Sequence, residues 1–453
     1  MATDLRISRY AVTSDDVYLT QDGRPCRIVY VTRTARAIAV TRAVGDALAA
    51  GTVPPVAERA LTELRDAGVL VEAGRDEAAE VIDRQRAAAR DMTSRQYVLL
   101  PTSYCNMGCS YCGQTHAKAP LQRNHRAAMV QRVIRGIRHP ETTSVNVRWF
   151  GAEPMMAFAV IRDMSRTIIA AADEAGVAYR SSMTTNGSLL DLRRLRALHD
   201  ECRVHSLCIT LDGADDEHDR HRPLKSGQSS YARIVAAIRE AVTNPDLPHF
   251  TVVIRTNVDV RNRDGIERFA DAMVAAGLAH PRVSFALHAV YRWSNDVSGI
   301  RIEQRDFAAY EAQLLRQFIQ RGLRTGLLPT APVDVTCAAV TPGTEVHSPT
   351  GRIFSCTEHP LVEQHEQADA LALLDELPPD APRPAGRYDG WHDTVAKGGV
   401  PCHDCPVLPV CGGACPKHWD EDDPPCPSFK FNLQDRLRLL ADSRGMTMLA
   451  RSA

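Results

Sequence analysis

From residue 96 the chain alternates between short apolar runs and longer amphipathic ones. The short runs are QYVLL (96–100), SVNVRWF (144–150), YRSSMTT (179–185), HSLCITL (205–211), FTVVIRTNV (250–258) and RVSFALHAV (282–290). Between them, RAAMVQRVIRGI, AFAVIRDMSRTIIAAADEAG, LLDLRRLRALHDE, YARIVAAIREAV and GIERFADAMVAAG space apolar residues as one helical face does. These strand–helix units predict an α/β fold, a parallel sheet curled into a partial (β/α)6 barrel over 96–325. Ahead of it, YAVTSDDVYL, RIVYVT and ARAIAV have strand character, and Val56, Ala60, Leu61 and Leu64 share a helical face that turns at Gly68. We read 1–75 as a small α+β unit and 76–95 as a linker helix. Residues 326–432 lose periodicity and are rich in Cys, Pro and Gly, so a metal framework can replace a hydrophobic core there. The tail 433–453 predicts a closing helix, and the acidic run at 420–423 reads as a solvated loop.

A net charge of −1 over 453 residues implies no broad attraction to nucleic acid or membrane. The N-terminal segment lacks the apolar core of a signal peptide, and no apolar run reaches the roughly 18 residues of a membrane span. The expectation is a cytoplasmic, reducing location. Thirteen cysteines then point to metal rather than disulfides. Cys26, Cys202 and Cys208 stand alone and read as small buried hydrophobes. Cys105, Cys109 and Cys112 crowd one loop at spacing C-x3-C-x2-C, and seven more lie between Cys337 and Cys426.

Polar motifs follow the strands in turn: CNMGCSYC, then GAEP, TNG and LDG, with RTNVDVRN overlapping the end of the fifth. Strand ends also turn into helices through Gly and Asn, but in a parallel α/β barrel the C-terminal ends share one rim, where chemistry collects. Structural zinc takes four ligands, usually in two pairs. A triplet suits a [4Fe–4S] cubane better, with one iron left for a small molecule.

The triplet with Tyr111 before its last cysteine resembles the signature of the radical SAM superfamily. In that family the open iron is chelated by S-adenosylmethionine (SAM), whose one-electron cleavage yields a 5′-deoxyadenosyl radical that abstracts hydrogen from the substrate. WFGAEPM resembles the family's GGEP motif, with Gly151, Glu153 and Pro154 kept and Ala152 replacing the second glycine. TTNG, containing Thr185 and Asn186, resembles the segment near the SAM ribose and carboxylate. ITLDGADDEHDRHRP resembles a further SAM-contacting stretch, with Thr210 for the usual serine, Asp212, and Arg222 as the candidate partner of the SAM carboxylate; a surface arginine is the alternative. The resemblance implies a SAM cluster on Cys105, Cys109 and Cys112, and SAM contacts at Tyr111 and the motif residues just named.

The C-terminal cysteines resemble the SPASM domain, an extension with two auxiliary [4Fe–4S] clusters. The family pattern implies an outer cluster on Cys402, Cys405, Cys411 and Cys426 and an inner one on Cys337, Cys356 and Cys415, making three cubanes in all. Seven thiols leave the inner cluster one ligand short; water, substrate, Asp334, Glu345 or His347 are candidates. Two zinc sites remain the chemical alternative.

SPASM enzymes mostly modify peptides or proteins. The N-terminal unit resembles a RiPP recognition element, a winged-helix-like module that takes up a leader peptide as an added strand; a stabilising extension is the alternative. Sulfatase maturases usually begin close to the cluster loop, so the extra N-terminal residues favour a peptide maturase. The implied partners are a precursor peptide and an electron donor such as flavodoxin or ferredoxin. The other readings are a sulfatase-maturase-like formylglycine generator and a non-catalytic iron–sulfur or zinc adaptor. Glu153, Asp212 and His288 lie near the rim without assigned acid–base roles.

Overall fold

The computed structural model describes residues 4–118 and 121–449. Residues 4–90 comprise β1 (Leu5–Ile7), β2 (Ala11–Thr13), β3 (Tyr18–Leu19), β4 (Pro25–Val31), β5 (Arg36–Thr41), α1 (Arg42–Ala49), α2 (Glu58–Asp66), β6 (Leu70–Glu72) and α3 (Glu77–Arg90). Strand β4 pairs antiparallel with β5 on one side and with β2 and β3 on the other. Side-chain oxygens of Thr41 and Asp76 cap α1 and α3 by accepting from Val44 N and Ala79 N. The hydrophobic pattern does not forecast β1, α1 or β6, which are too short to show a period.

All six expected barrel strands form: β7 (Ser94–Leu99), β8 (Ser144–Trp149), β9 (Ala178–Thr185), β10 (Val204–Thr210), β11 (Thr251–Val258) and β12 (Val283–Ala289). They run parallel, each beside the next in chain order. Helices α4 (Arg123–Ile137), α5 (Phe158–Ala175), α6 (Leu192–Asp200), α7 (Asp216–His221), α8 (Tyr231–Thr243), α9 (Ile266–Ala275) and α10 (Gln304–Gln320) follow the strands. Along β8, Val145, Val147 and Trp149 are buried in the main core with Val133 and Ile168 of the helices, while Asn146 and Arg148 take the opposite face. The two ends of this six-stranded stretch meet: a Cβ on Gly113, after β7, would stand 1.8 Å from the carbonyl oxygen of Trp293, after β12. The sheet is therefore curled, and only glycine fits at 113.

The sheet does not stop at β7. Strand β13 (Thr344–His347) pairs parallel with it, followed by antiparallel β14 (Arg352–Phe354) and β15 (Ala372–Leu373). The cysteine-rich region also has an apolar core, in which Val340, Trp391, Val395 and Leu408 pack with Tyr10, Val81 and Ile82. The expectation that a metal framework replaces the core is thus corrected: an apolar core is present. Helix α3 is part of that core as well as a linker. The acidic run is not a free loop: Glu421 pairs with Lys417 at 2.8 Å and Asp423 with Arg301 at 3.0 Å.

The closing helix spans Leu433–Ser443, and β16 (Thr447–Met448) then pairs antiparallel with β3; the last four positions of the expected helix, 450–453, lie outside the described residues. Tyr18, Cys26, Ile28 and Tyr30 of the first sheet pack against Val407, Val410, Leu433 and Leu437. The N-terminal unit therefore shares its core with the C-terminal region. No helix among the described residues is long and apolar enough to cross a membrane.

Candidate active site

The loop after β7 is held by its backbone. Gly108 N donates to Pro223 O at 2.9 Å, and Lys225 N to Asn106 O at 2.8 Å. These bonds turn Cys105, Cys109 and Cys112 into one cavity of about 490 Å³. None of the three is in a disulfide. Burial pushes all three thiols up, that of Cys109 to about 12. Thiolates here need a cationic partner, which cluster irons provide.

Tyr111, Gly151, Ala152, Thr185, Asn186, Thr210 and Arg222 line the same cavity. Gly151 and Ala152 are both left-handed, with φ of 78° and 47°. A Cβ on Gly151 would stand 2.3 Å from Leu100, whereas Ala152 tolerates its own and donates N–H to Gln114 Oε1 at 2.9 Å. Arg222 is buried, so the surface alternative is corrected: the chain folds back through α7 and brings the guanidinium inward. It donates to the Tyr111 hydroxyl, which in turn donates to Asp212.

Glu153, Pro154 and Asp212 stand behind the wall instead of in it. The Glu153 carboxylate accepts from Thr185 Oγ1 (2.6 Å), Met155 N (3.0 Å) and Asn186 N (2.7 Å). It clasps the GAEP loop to the TTNG loop. Asp212 accepts from Tyr111 and from Asn257 N at 2.8 Å, and orients Tyr111 and Arg222. Both carboxylates are fully buried, and burial raises that of Glu153 against its hydrogen bonds.

The inner face of the sheet supplies Arg148 of β8 and Cys208 of β10, which motif reading did not single out, beside Thr184 of β9 and Arg255 of β11, which open TTNG and RTNVDVRN. The signal was the strand alternation itself, which sets each of these opposite the buried positions. Cys208 accordingly lines the cavity and is not a core residue. Arg148 donates to Thr184 Oγ1 at 3.1 Å and Arg255 to Asn257 Oδ1 at 2.9 Å. His288 lies on the same wall, and burial, then the Arg255 charge, push its imidazole down to about 3. It is a neutral hydrogen-bonding group near pH 7.

The far wall comes from the C-terminal region, through Cys415, Glu358 and His418. Cys337, Cys356 and Cys415 are all raised by burial, and the Glu358 charge acts on each of them. Cys402, Cys405, Cys411 and Cys426 line a separate pocket, where Lys430 Nζ donates to Cys426 Sγ at 3.4 Å. The three suggested substitutes for an eighth thiol are engaged elsewhere. Asp334 pairs with Arg84 at 2.8 Å. Glu345 is held through both oxygens by Arg132, at 2.5 and 2.8 Å, and His347 bonds Glu345 at 2.8 Å.

The donor set fits an iron–sulfur cluster with an anionic ligand. Three cysteines of one loop converge on the cavity, and Arg222 Nε and Gln114 Nε2, in residues that line it, are buried without a hydrogen-bond acceptor.

Residues 99–273 match the radical SAM superfamily. The serine-type anaerobic sulfatase-maturating enzyme of Klebsiella aerogenes is 24% identical over 340 residues, covering 69% of this chain and 77% of that protein. The enzyme of the same name from Klebsiella pneumoniae is 24% identical over 343 residues, covering 69% and 79%. Among solved structures, native anSMEcpe with bound AdoMet and Cp18Cys peptide gives a TM-score of 0.57 at 14% identity, covering 77% of this chain and 99% of that one. At this identity the likeness is one of fold. The family match spans the three-cysteine loop and strands β8 to β11, so the segment that carries the loop matches the radical SAM superfamily.

Proposed function

We propose that the chain is a radical SAM/SPASM maturase that modifies a residue of a ribosomally made precursor peptide, leaving a crosslink or other altered bond. The observation that carries this reading is the single cavity, in which the cysteine loop, the motif-bearing strand ends and Cys415 of the C-terminal region face one space. Cys105, Cys109 and Cys112 would hold the cluster. Tyr111, Gly151, Ala152, Thr185, Asn186, Thr210 and Arg222 would hold SAM, with Glu153, Pro154 and Asp212 supporting them from behind. The bound group supplies one-electron cleavage of SAM and hydrogen abstraction from an unactivated C–H bond. Arg222 offers its guanidinium to the SAM carboxylate, and the wall of Arg148, Arg255 and His288 faces the substrate and narrows the space open to water. Cys402, Cys405, Cys411 and Cys426 would hold the outer auxiliary cluster and Cys337, Cys356 and Cys415 the inner one, with electrons from a flavodoxin- or ferredoxin-type donor. The test is anaerobic reconstitution followed by SAM and a candidate precursor encoded beside the gene. We expect roughly twelve irons per chain and a SAM-dependent mass change in the peptide. Stoichiometric zinc with little iron would support the adaptor reading instead.

A sulfatase-maturase activity is the second reading, favoured by the 24% identity to sulfatase-maturating enzymes over 69% of the chain. Conversion of a sulfatase-derived serine or cysteine peptide to its aldehyde, with no change in the neighbouring precursor, would decide for it.

The first sheet offers the leader open edges. Its β3 edge is covered by β16, while β5 and β2 each pair only with β4 among the described strands. Strand addition draws affinity from main-chain hydrogen bonds, so a proline inside the paired leader segment should weaken binding by roughly tenfold, as loss of one such bond does. Fluorescence anisotropy with labelled leaders measures this, and equal affinity would sink it. Deleting residues 1–90 is a poorer test, because it would strip the core shared with Val407, Val410 and Leu437.

A further inference from the structure

Two cubanes held by protein alone need eight ligand atoms, and the C-terminal region has seven thiols. With Cys402, Cys405, Cys411 and Cys426 together in one pocket, the missing ligand belongs to the set of Cys337, Cys356 and Cys415. Asp334, Glu345 and His347 are committed to ion pairs. Glu358 makes only longer ion pairs, to Lys417 and His418. It lies two residues beyond Cys356, and its own N–H bonds the Cys356 sulfur at 3.4 Å. It shares the cavity wall with Cys415. Its Oε2 is shut off from solvent and accepts no hydrogen bond. Lys417 Nζ and His418 Nε2 stand 3.8 and 3.7 Å from that oxygen, close enough to balance its charge in part but too far to bond it. A buried carboxylate oxygen without a donor is costly unless a cation meets it, and beside three thiolates that cation is iron.

We propose that the Glu358 carboxylate is the fourth ligand of the inner auxiliary cluster. The inference rests on the reading that Cys337, Cys356 and Cys415 hold a cluster. It makes the inner cubane a three-sulfur, one-oxygen site whose oxygen-ligated iron faces the substrate cavity.

The test uses the full chain with Cys105, Cys109 and Cys112 changed to Ala, so that only the auxiliary clusters remain. After reconstitution with ⁵⁷Fe, Mössbauer spectra should show about one iron in eight in an oxygen-ligated environment, with a larger isomer shift than its sulfur-ligated neighbours. In the same background Glu358→Cys should convert that iron to the sulfur-ligated type while the iron count stays at about eight. Glu358→Gln keeps the shape and covers the case in which the cysteine variant misfolds. It should let added cyanide shift the EPR spectrum of the reduced protein, which cyanide leaves unchanged when Glu358 is present. The proposal is overturned if no oxygen-ligated iron is seen, if that iron survives Glu358→Cys, or if cyanide acts equally with and without Glu358. Failure of the underlying reading looks different: Cys356→Ala would then leave the iron count unchanged.

Discussion

Changing Cys105, Cys109 and Cys112 together to Ala is expected to lower the iron content from roughly twelve to roughly eight per chain and to reduce dithionite-driven SAM cleavage to the protein-free background. The loop should survive, because its placement rests on main-chain bonds from Gly108 to Pro223 and from Lys225 to Asn106. Alanine keeps those bonds and removes only the sulfurs. Of the seven C-terminal cysteines, Cys415 lies on the far wall of the cavity and Cys402, Cys405, Cys411 and Cys426 line a pocket of their own, so the auxiliary irons should stay. Iron and sulfide analysis, with chromatography of 5′-deoxyadenosine, gives both numbers from one preparation. Undiminished SAM cleavage in the variant would remove the loop from the mechanism, and a loss of all iron would mean that the clusters assemble as one unit.

The barrel was legible because each of its strands is long enough to show an apolar pattern and the first five carry a polar motif at their ends. The cysteine triplet was legible because its ligands are close in sequence. What escaped notice depends on partners far away. Strand β13 reads Thr-Glu-Val-His, and nothing local marks Glu345 and His347 as buried residues. They are buried because Arg132 of α4, more than two hundred positions earlier, neutralises the carboxylate. Arg148 was hidden differently. Its strand announces itself by the apolar positions, and a polar residue between them reads as solvent-facing until the sheet curls. Glu358 and His418 reach the cavity only because the C-terminal region packs over the barrel mouth, which no spacing rule in either segment encodes. Ala152 shows the limit of motif matching in the other direction. The change from glycine leaves the left-handed turn in place, at a cost of about 1–2 kcal/mol for a Cβ in that conformation.

Arg132→Met is expected to destabilise the chain by about 3–5 kcal/mol at pH 7, the usual consequence of leaving one partner of a buried ion pair alone. Arg132 is 3% exposed and joins the barrel to the C-terminal region: it grips both Glu345 oxygens and donates to the carbonyls of Pro378 and Ala381 at 3.1 and 3.0 Å. Burial alone would raise the Glu345 carboxyl, but its hydrogen bonds and attraction to His347 and Arg132 outweigh burial and bring it down to about 2. A carboxyl depressed on folding contributes stability that is fully present above its unfolded value of about 4.3 and is lost as the pH falls through about 2. Without Arg132 the balance tips towards burial, and the charged form becomes the costly one. The gap between wild type and variant in urea midpoint should therefore be widest near neutrality and should already begin to narrow above about pH 4.3, because Glu345 of the variant, raised by burial, takes up its proton there. Replacing both partners, as in Arg132→Met with Glu345→Leu, should recover much of the loss by removing the stranded charge, with about 1–3 kcal/mol still missing for the His347 nitrogen that loses its acceptor. A single variant as stable as the wild type at pH 7 would mean that His347 alone, 2.8 Å from Glu345, carries the charge.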